Sequence, residues 1–151
     1  MTESRKWTIT IPAPCAWLTA NNTHRMYVVQ NKLIRAWRGG AYYAAMRAKL
    51  PTGLERVRIE GIVQFRGRPA VRDHMNLWPT FKAVIDGLGP ANRSRRTNGI
   101  GYGLITDDDD KHLEGPTWVI GDRLPASPFA SPGDLVLIIT EVAATNGASL
   151  C

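Results

Sequence analysis

The chain has 151 residues, a length that fits one domain of ordinary size. Its hydrophobic content of 44% supports a real core and excludes wholesale disorder, and no run approaches the ~18 uninterrupted apolar residues of a membrane span. Net charge is +6, and setting aside the four adjacent acids Asp107, Asp108, Asp109 and Asp110 leaves +10. A basic body around one acidic focus points to a nucleic-acid partner with cations placed among its phosphates; the plainer alternative is a basic protein with no polyanion partner.

The polar residues 1–6 lack the apolar middle of a secretory leader, so a soluble, cytoplasmic protein without a membrane partner is expected. Cys15 and Cys151 form no zinc-type spacing with the histidines, and in a reducing compartment no disulfide is expected between them.

Residues 6–11 alternate Trp7, Ile9 and Ile11 with Lys6, Thr8 and Thr10, which predicts a half-buried strand ended by Pro12 and Pro14. Residues 17–25 read as a polar loop. From about residue 30 to residue 50, Leu33, Trp37, Ala41, Ala44 and Ala48 recur at helical spacing, with Arg35, Arg38, Arg47 and Lys49 on the outer side. Gly39 and Gly40 lie inside this helix, where either a bend or close packing accounts for them. Val57, Ile59, Gly61, Val63 and Phe65 predict a second strand over 56–66. Pro79 suits the first turn of a second helix, with Phe81, Val84, Ile85 and Leu88 on its apolar face and Gly87 and Gly89 closing it. Residues 90–103 read as a basic loop carrying Arg93, Arg95 and Arg96. Residues 102–105 predict a short strand leading into the acids, residues 118–120 another, and residues 135–142 a final buried one. Residues 143–151 read as a tail. The order is strand, helix, strand, helix and three strands: one α+β domain with a small mixed sheet and two main helices.

Two places carry chemistry. Four adjacent carboxylates repel one another and are eased by cations. They form either a solvated acidic turn or part of a site for a hard metal such as Mg²⁺, which takes oxygen ligands. Neighbouring side chains point in different directions, so at most two of the four would share an ion. The second place is Arg72-Asp73-His74-Met75-Asn76. Asp73 is either a helix cap or a carboxylate that meets the acid run from a separate segment, as metal-assisted phosphodiester hydrolysis requires. Arg72 or Lys82 would stabilise charge on the phosphate. His74 and His112 flank the two acid sites as ligands, bases or plain polar residues. The Ser, His and Cys residues carry no nucleophile signature.

Asp73-x-x-Asn76, Lys82-x-x-x-Asp86-Gly87-Leu88 and Gly103-Leu-Ile-Thr-Asp107-Asp108, taken in that order, resemble the RusA family of Holliday-junction resolvases. The likeness is nearest to versions common in actinobacterial phages and spans about residues 7–142. An early Trp17-Leu-x-Ala-Asn21 and the later Arg35-Ala-Trp-Arg38 also fit. The resemblance implies a homodimeric, Mg²⁺-dependent endonuclease that nicks opposed strands of a four-way DNA junction in phage recombination or repair, with Mn²⁺ as a substitute metal. By position it implies Asp73, Asp107 and Asp108 as metal ligands and Lys82 as the lysine assisting phosphoryl transfer. Arg72, Asn76, Arg35 and Arg38, with Arg93, Arg95 and Arg96, are the expected DNA contacts. Two departures stand out. Met75 occupies the place of a second aspartate in the bacterial enzymes, and the gap from Asn76 to Lys82 is longer. Either Asp109, Asp110, Asp86 or His112 replaces the missing carboxylate, or metal binding is weaker. The rival expectations are a non-catalytic DNA-binding protein of the same fold and a nuclease for flap or other branched DNA.

Overall fold

The structure, a computed structural model, describes residues 4–20, 27–91 and 101–143. Four strands form one mixed sheet: β1 (Lys6–Pro12), β2 (Val57–Phe65), β3 (Leu113–Ile120) and β4 (Gly133–Glu141), in the spatial order β1-β4-β2-β3. The pairings β1–β4 and β4–β2 are antiparallel, whereas β2 and β3 run parallel. Two helices, α1 (Tyr27–Arg47) and α2 (Trp78–Leu88), complete a small α+β domain. Among the described residues no helix is long and apolar enough to cross a membrane.

Period-two patterning sets the inner face. Ile9 and Ile11 of β1, Leu135, Leu137 and Ile139 of β4, and Val57, Ile59, Val63 and Phe65 of β2 are all buried. One register row runs Ile9, Leu137, Gly61, Trp118 across all four strands. Phe81, Val84, Ile85 and Leu88 of α2 are buried in the same core, as are Trp37, Ala41 and Ala45 of α1. The two helices meet closely. A Cβ at Gly87 would collide with the carbonyl of Arg38, so this glycine lies within the last turn of α2 and admits α1. Gly89 follows as the cap, its N–H donating to Ile85 O at 2.7 Å. α1 runs unbroken through Gly39 and Gly40; Gly40 brings it against Ile11 and Pro14, so close packing is the reason for that glycine.

Three expectations need correction. Residues 102–105 form no strand. Their backbone donors are spent on the end of α2: Tyr102 N–H on Gly87 O, Gly103 N–H on Gly89 O and Leu104 N–H on Leu88 O, at 2.8–3.0 Å. Only an isolated bridge, Leu54 to Ile105, remains. The strand read at 118–120 begins at Leu113, through Gly115 and Pro116. Proline survives there because β3 is an edge strand. The stretch read as a polar loop is core in its first part. Trp17 and Leu18 are buried, and Leu18 is pinned by Thr80, whose hydroxyl donates to Leu18 O at 2.7 Å and accepts from Leu18 N–H at 2.9 Å.

Candidate active site

β2, α2 and β3 form a strand–helix–strand unit, and the segments on either side of α2 carry the candidate acids. After β2 the chain reaches Asp73 in extended backbone. Its carboxylate accepts the Met75 N–H at 3.0 Å and opens a short 3-10 turn, His74–Leu77, that runs directly into α2. Asp73 therefore caps a helical turn in this structure. Arg72, Asp73, His74 and Met75 are exposed and Asn76 is half-buried. The turn is tied to the sheet by Trp118, whose indole N–H donates to His74 O at 2.7 Å. The Trp118 ring lies flat on Phe81, with centroids 4.2 Å apart and planes at 9°.

Trp78, Lys82 and Asp86 follow one another at intervals of four along α2, so one helical stripe carries an indole, an ammonium and a carboxylate. Lys82 Nζ lies 3.2 Å from Asp86 Oδ1 and 3.6 Å from Asp108 Oδ2. Two carboxylates from separate segments thus converge on one lysine at the surface. Partial burial pulls the Lys82 pKa down, but the charges and hydrogen bonds of Asp86, and then of Asp108, outweigh it and the net shift is upward.

The acid run divides. Asp107 Oδ1 accepts the Asp108 N–H at 2.8 Å, a local turn contact. Asp108 faces Lys82. Asp109 points elsewhere: its Oδ1 accepts the N–H groups of Lys111 and His112 and meets His112 Nδ1. The His112 hydrogen bond is the main cause that holds the Asp109 pKa below the usual carboxylate range. Asp110 is exposed. Among the described residues no three His, Cys, Asp or Glu side chains are grouped so as to hold a metal ion. The structure therefore brings together Lys82, Asp86 and Asp108. It gives Asp73, Asp107, Asp109 and His112 local partners instead. Arg35 is exposed and Arg38 half-buried on α1, while Arg93, Arg95 and Arg96 lie outside the described residues.

Sequence reasoning ranked Asp86 as a substitute ligand and overlooked the aromatic residues beside it. The signal was present in the spacing of Trp78, Lys82 and Asp86, which puts all three on one face of a helix that begins at Pro79. No protein-family model matches the chain, and no curated protein matches it.

Proposed function

We propose that this chain is a divalent-metal-dependent endonuclease of the RusA type. It acts on branched DNA, with the four-way junction as substrate and a two-fold homodimer as the working unit. The observation that carries the reading is the convergence of Asp86 and Asp108 on Lys82, from separate segments, on the surface of a basic protein. A two-fold dimer suits a four-way junction, which offers two equivalent scissile phosphates.

The carboxylate oxygens are of the type such a metal takes, with the Lys82 ammonium between Asp86 and Asp108 and no third ligand grouped with them among the described residues. Mg²⁺ is usually held by one or two carboxylates, with substrate phosphates and waters completing its shell. Asp86 and Asp108 supply hard oxygens around a point already occupied by positive charge, and Asp73 and Asp107 are the further carboxylates the family pattern would add. Such an ion, when bound, activates water and screens the charge that grows on the phosphate. Lys82 has its own part: it stays protonated at Nζ, because its acidic neighbours outweigh its burial, and it presents that charge to a phosphate oxygen or to the departing oxygen. Arg72, Arg35 and Arg38 would grip backbone phosphates, so binding should weaken steeply as salt rises.

Two observations favour a second reading, a DNA-binding protein without catalysis: no group of three ligands is assembled among the described residues, and Met75 stands where an aspartate would serve in the family pattern. Cleavage assays on four-way, flap and linear duplex DNA in Mg²⁺ and in Mn²⁺ separate the readings. Paired symmetric nicks confined to the four-way junction are expected. Tight binding without cutting in either metal supports the inactive binder, and cutting of flaps in preference to junctions moves the substrate to other branched DNA.

A further inference from the structure

We propose that the hollow between α2 and the β3 edge is a nucleobase subsite, which takes the base next to the phosphate held at Lys82 and stacks it against Trp78. The inference rests on the reading of this site as one for DNA. The hollow measures about 370 Å³, within the range of roughly 300–1,000 Å³ usual for small-molecule pockets. Its walls are Phe81, Ile85, Leu113, Pro116, Trp118 and the exposed ring of Trp78, with Lys82 and Asp108 at the rim.

Three features select a base as the occupant. First, the floor is flat and fixed: Trp118 is stacked on Phe81, and its indole N–H is committed to His74 O. Second, Trp78 leaves 56% of its surface in solvent, although it lies beside an apolar hollow; the ring has a free face to offer. Third, Trp78 stands one helical turn before Lys82, so a stacking surface and an ammonium are neighbours on one face of α2. A nucleotide offers the complementary pair, a planar π-system and a phosphate.

The lining has consequences for recognition. Rings and aliphatic groups make up most of it, with Lys82 and Asp108 as the charged members, so it offers a base chiefly a surface to stack on, and stacking of this kind tolerates every base. A base inside a duplex cannot reach such a hollow without leaving the stack, and leaving costs least where a base is unpaired or poorly stacked. The subsite therefore selects branched structure over sequence, with purines favoured by their larger ring surface.

The test places 5-iododeoxyuridine either at the branch point or in the middle of an arm of a four-way junction, with no divalent cation present so that no cutting intervenes. Irradiation should crosslink the branch-point nucleotide to Trp78 or Trp118, identified by mass spectrometry, and the mid-arm nucleotide to neither. Trp78→Ala should lower junction affinity by about ten-fold and leave duplex affinity unchanged, while Trp78→Phe restores it. Trp78 is exposed, so both variants should fold; equal melting temperatures check this. If wild type binds junctions but Trp78→Ala binds them equally well, or loses junction and duplex affinity alike, the subsite is overturned and the DNA reading stands. If wild type binds no DNA of any form, both fall.

Discussion

The ring of Phe81 lies directly over the backbone of Gly61: a Cβ at residue 61 would stand 2.5 Å from Phe81 Cε1 and 2.7 Å from Cζ. The glycine lets α2 settle onto the sheet at the point where Phe81 carries Trp118, one residue before Lys82. Gly61→Val should therefore push Phe81 off its seat. Overpacking of this kind costs about 1–3 kcal/mol, which denaturant unfolding would register. Cutting should fall as well, because Lys82 moves with the helix. A variant with wild-type stability would mean that Phe81 has another rotamer free to it.

Thr80 is the second point at which α2 is fixed. It is wholly buried, and its hydroxyl satisfies both backbone groups of Leu18. Thr80→Val keeps the shape and strands a buried N–H and a buried C=O. Each group left unpaired costs about 1–3 kcal/mol, so the loss should be large and should show as a lowered midpoint with an unchanged denaturant slope. Thr80→Ser keeps the hydroxyl and should recover most of it.

Those two anchors also explain what the sequence revealed and what it hid. Alternation was enough for β1 and β2, because each buries one face and the pattern has period two, and β4 was legible as a continuous apolar, β-branched run. Pro79 marked the first turn of α2. β3 was half hidden, since Gly115 and Pro116 look like a turn and only the edge position tolerates them. Residues 102–105 looked like a strand, yet their donors serve the end of α2 and Gly103 turns to a positive φ, a choice that no local pattern records. Leu18 is held in the core by Thr80, 62 residues away, and Trp17 by its ring contacts with Trp37 and Phe65, partners equally absent from any local pattern. In the candidate site, the acid run was conspicuous as composition. Which carboxylate turns toward Lys82 was not, because that depends on a turn in which Asp109 is drawn to His112. Asp86 lies four residues from Lys82 and pairs with it on the helix surface, a contact the spacing contains; that Asp108 joins them at Lys82 depends on how the segment before β3 passes α2.

Arg5 and Glu141 pair where β1 begins and β4 ends. Arg5 Nε meets Oε1 at 3.0 Å and Nη2 meets Oε2 at 2.8 Å. The hydrogen bond from Arg5 is the main cause that lowers the Glu141 pKa below its usual 4.5. A carboxylate with a depressed folded-state pKa adds stability that is present above its unfolded pKa and is lost as pH falls through the folded one. Glu141→Gln should therefore melt below wild type at neutral pH, by a small margin because the pair is exposed to solvent. The two melting curves should converge in acid, below the ordinary carboxylate range. A gap that persists there would assign the effect to packing rather than to charge.

The candidate carboxylates are told apart by what each does in the resting fold. Asp73→Asn keeps a side-chain oxygen for the Met75 N–H, and Asn caps as well as Asp, so stability should hold. If Asp73 is also a metal ligand, as the family pattern implies, cutting in Mg²⁺ should disappear while junction binding stays. Asp73→Ala should add a loss of about 1 kcal/mol from the missing cap. Asp108→Asn and Asp86→Asn should each abolish or severely slow cutting, because each removes one of the two carboxylates that converge on Lys82. Lys82→Ala should slow turnover strongly with little effect on melting, since its ion pairs are exposed and worth a fraction of a kcal/mol. Metal titration of each variant gives the decisive comparison. A lost ligand raises the Mg²⁺ concentration needed for half-maximal cutting, whereas loss of Lys82 lowers the maximal rate and leaves that concentration alone. Asp86→Asn with wild-type cutting would remove Asp86 from the site and leave Asp109, Asp110 or His112 to replace the missing carboxylate.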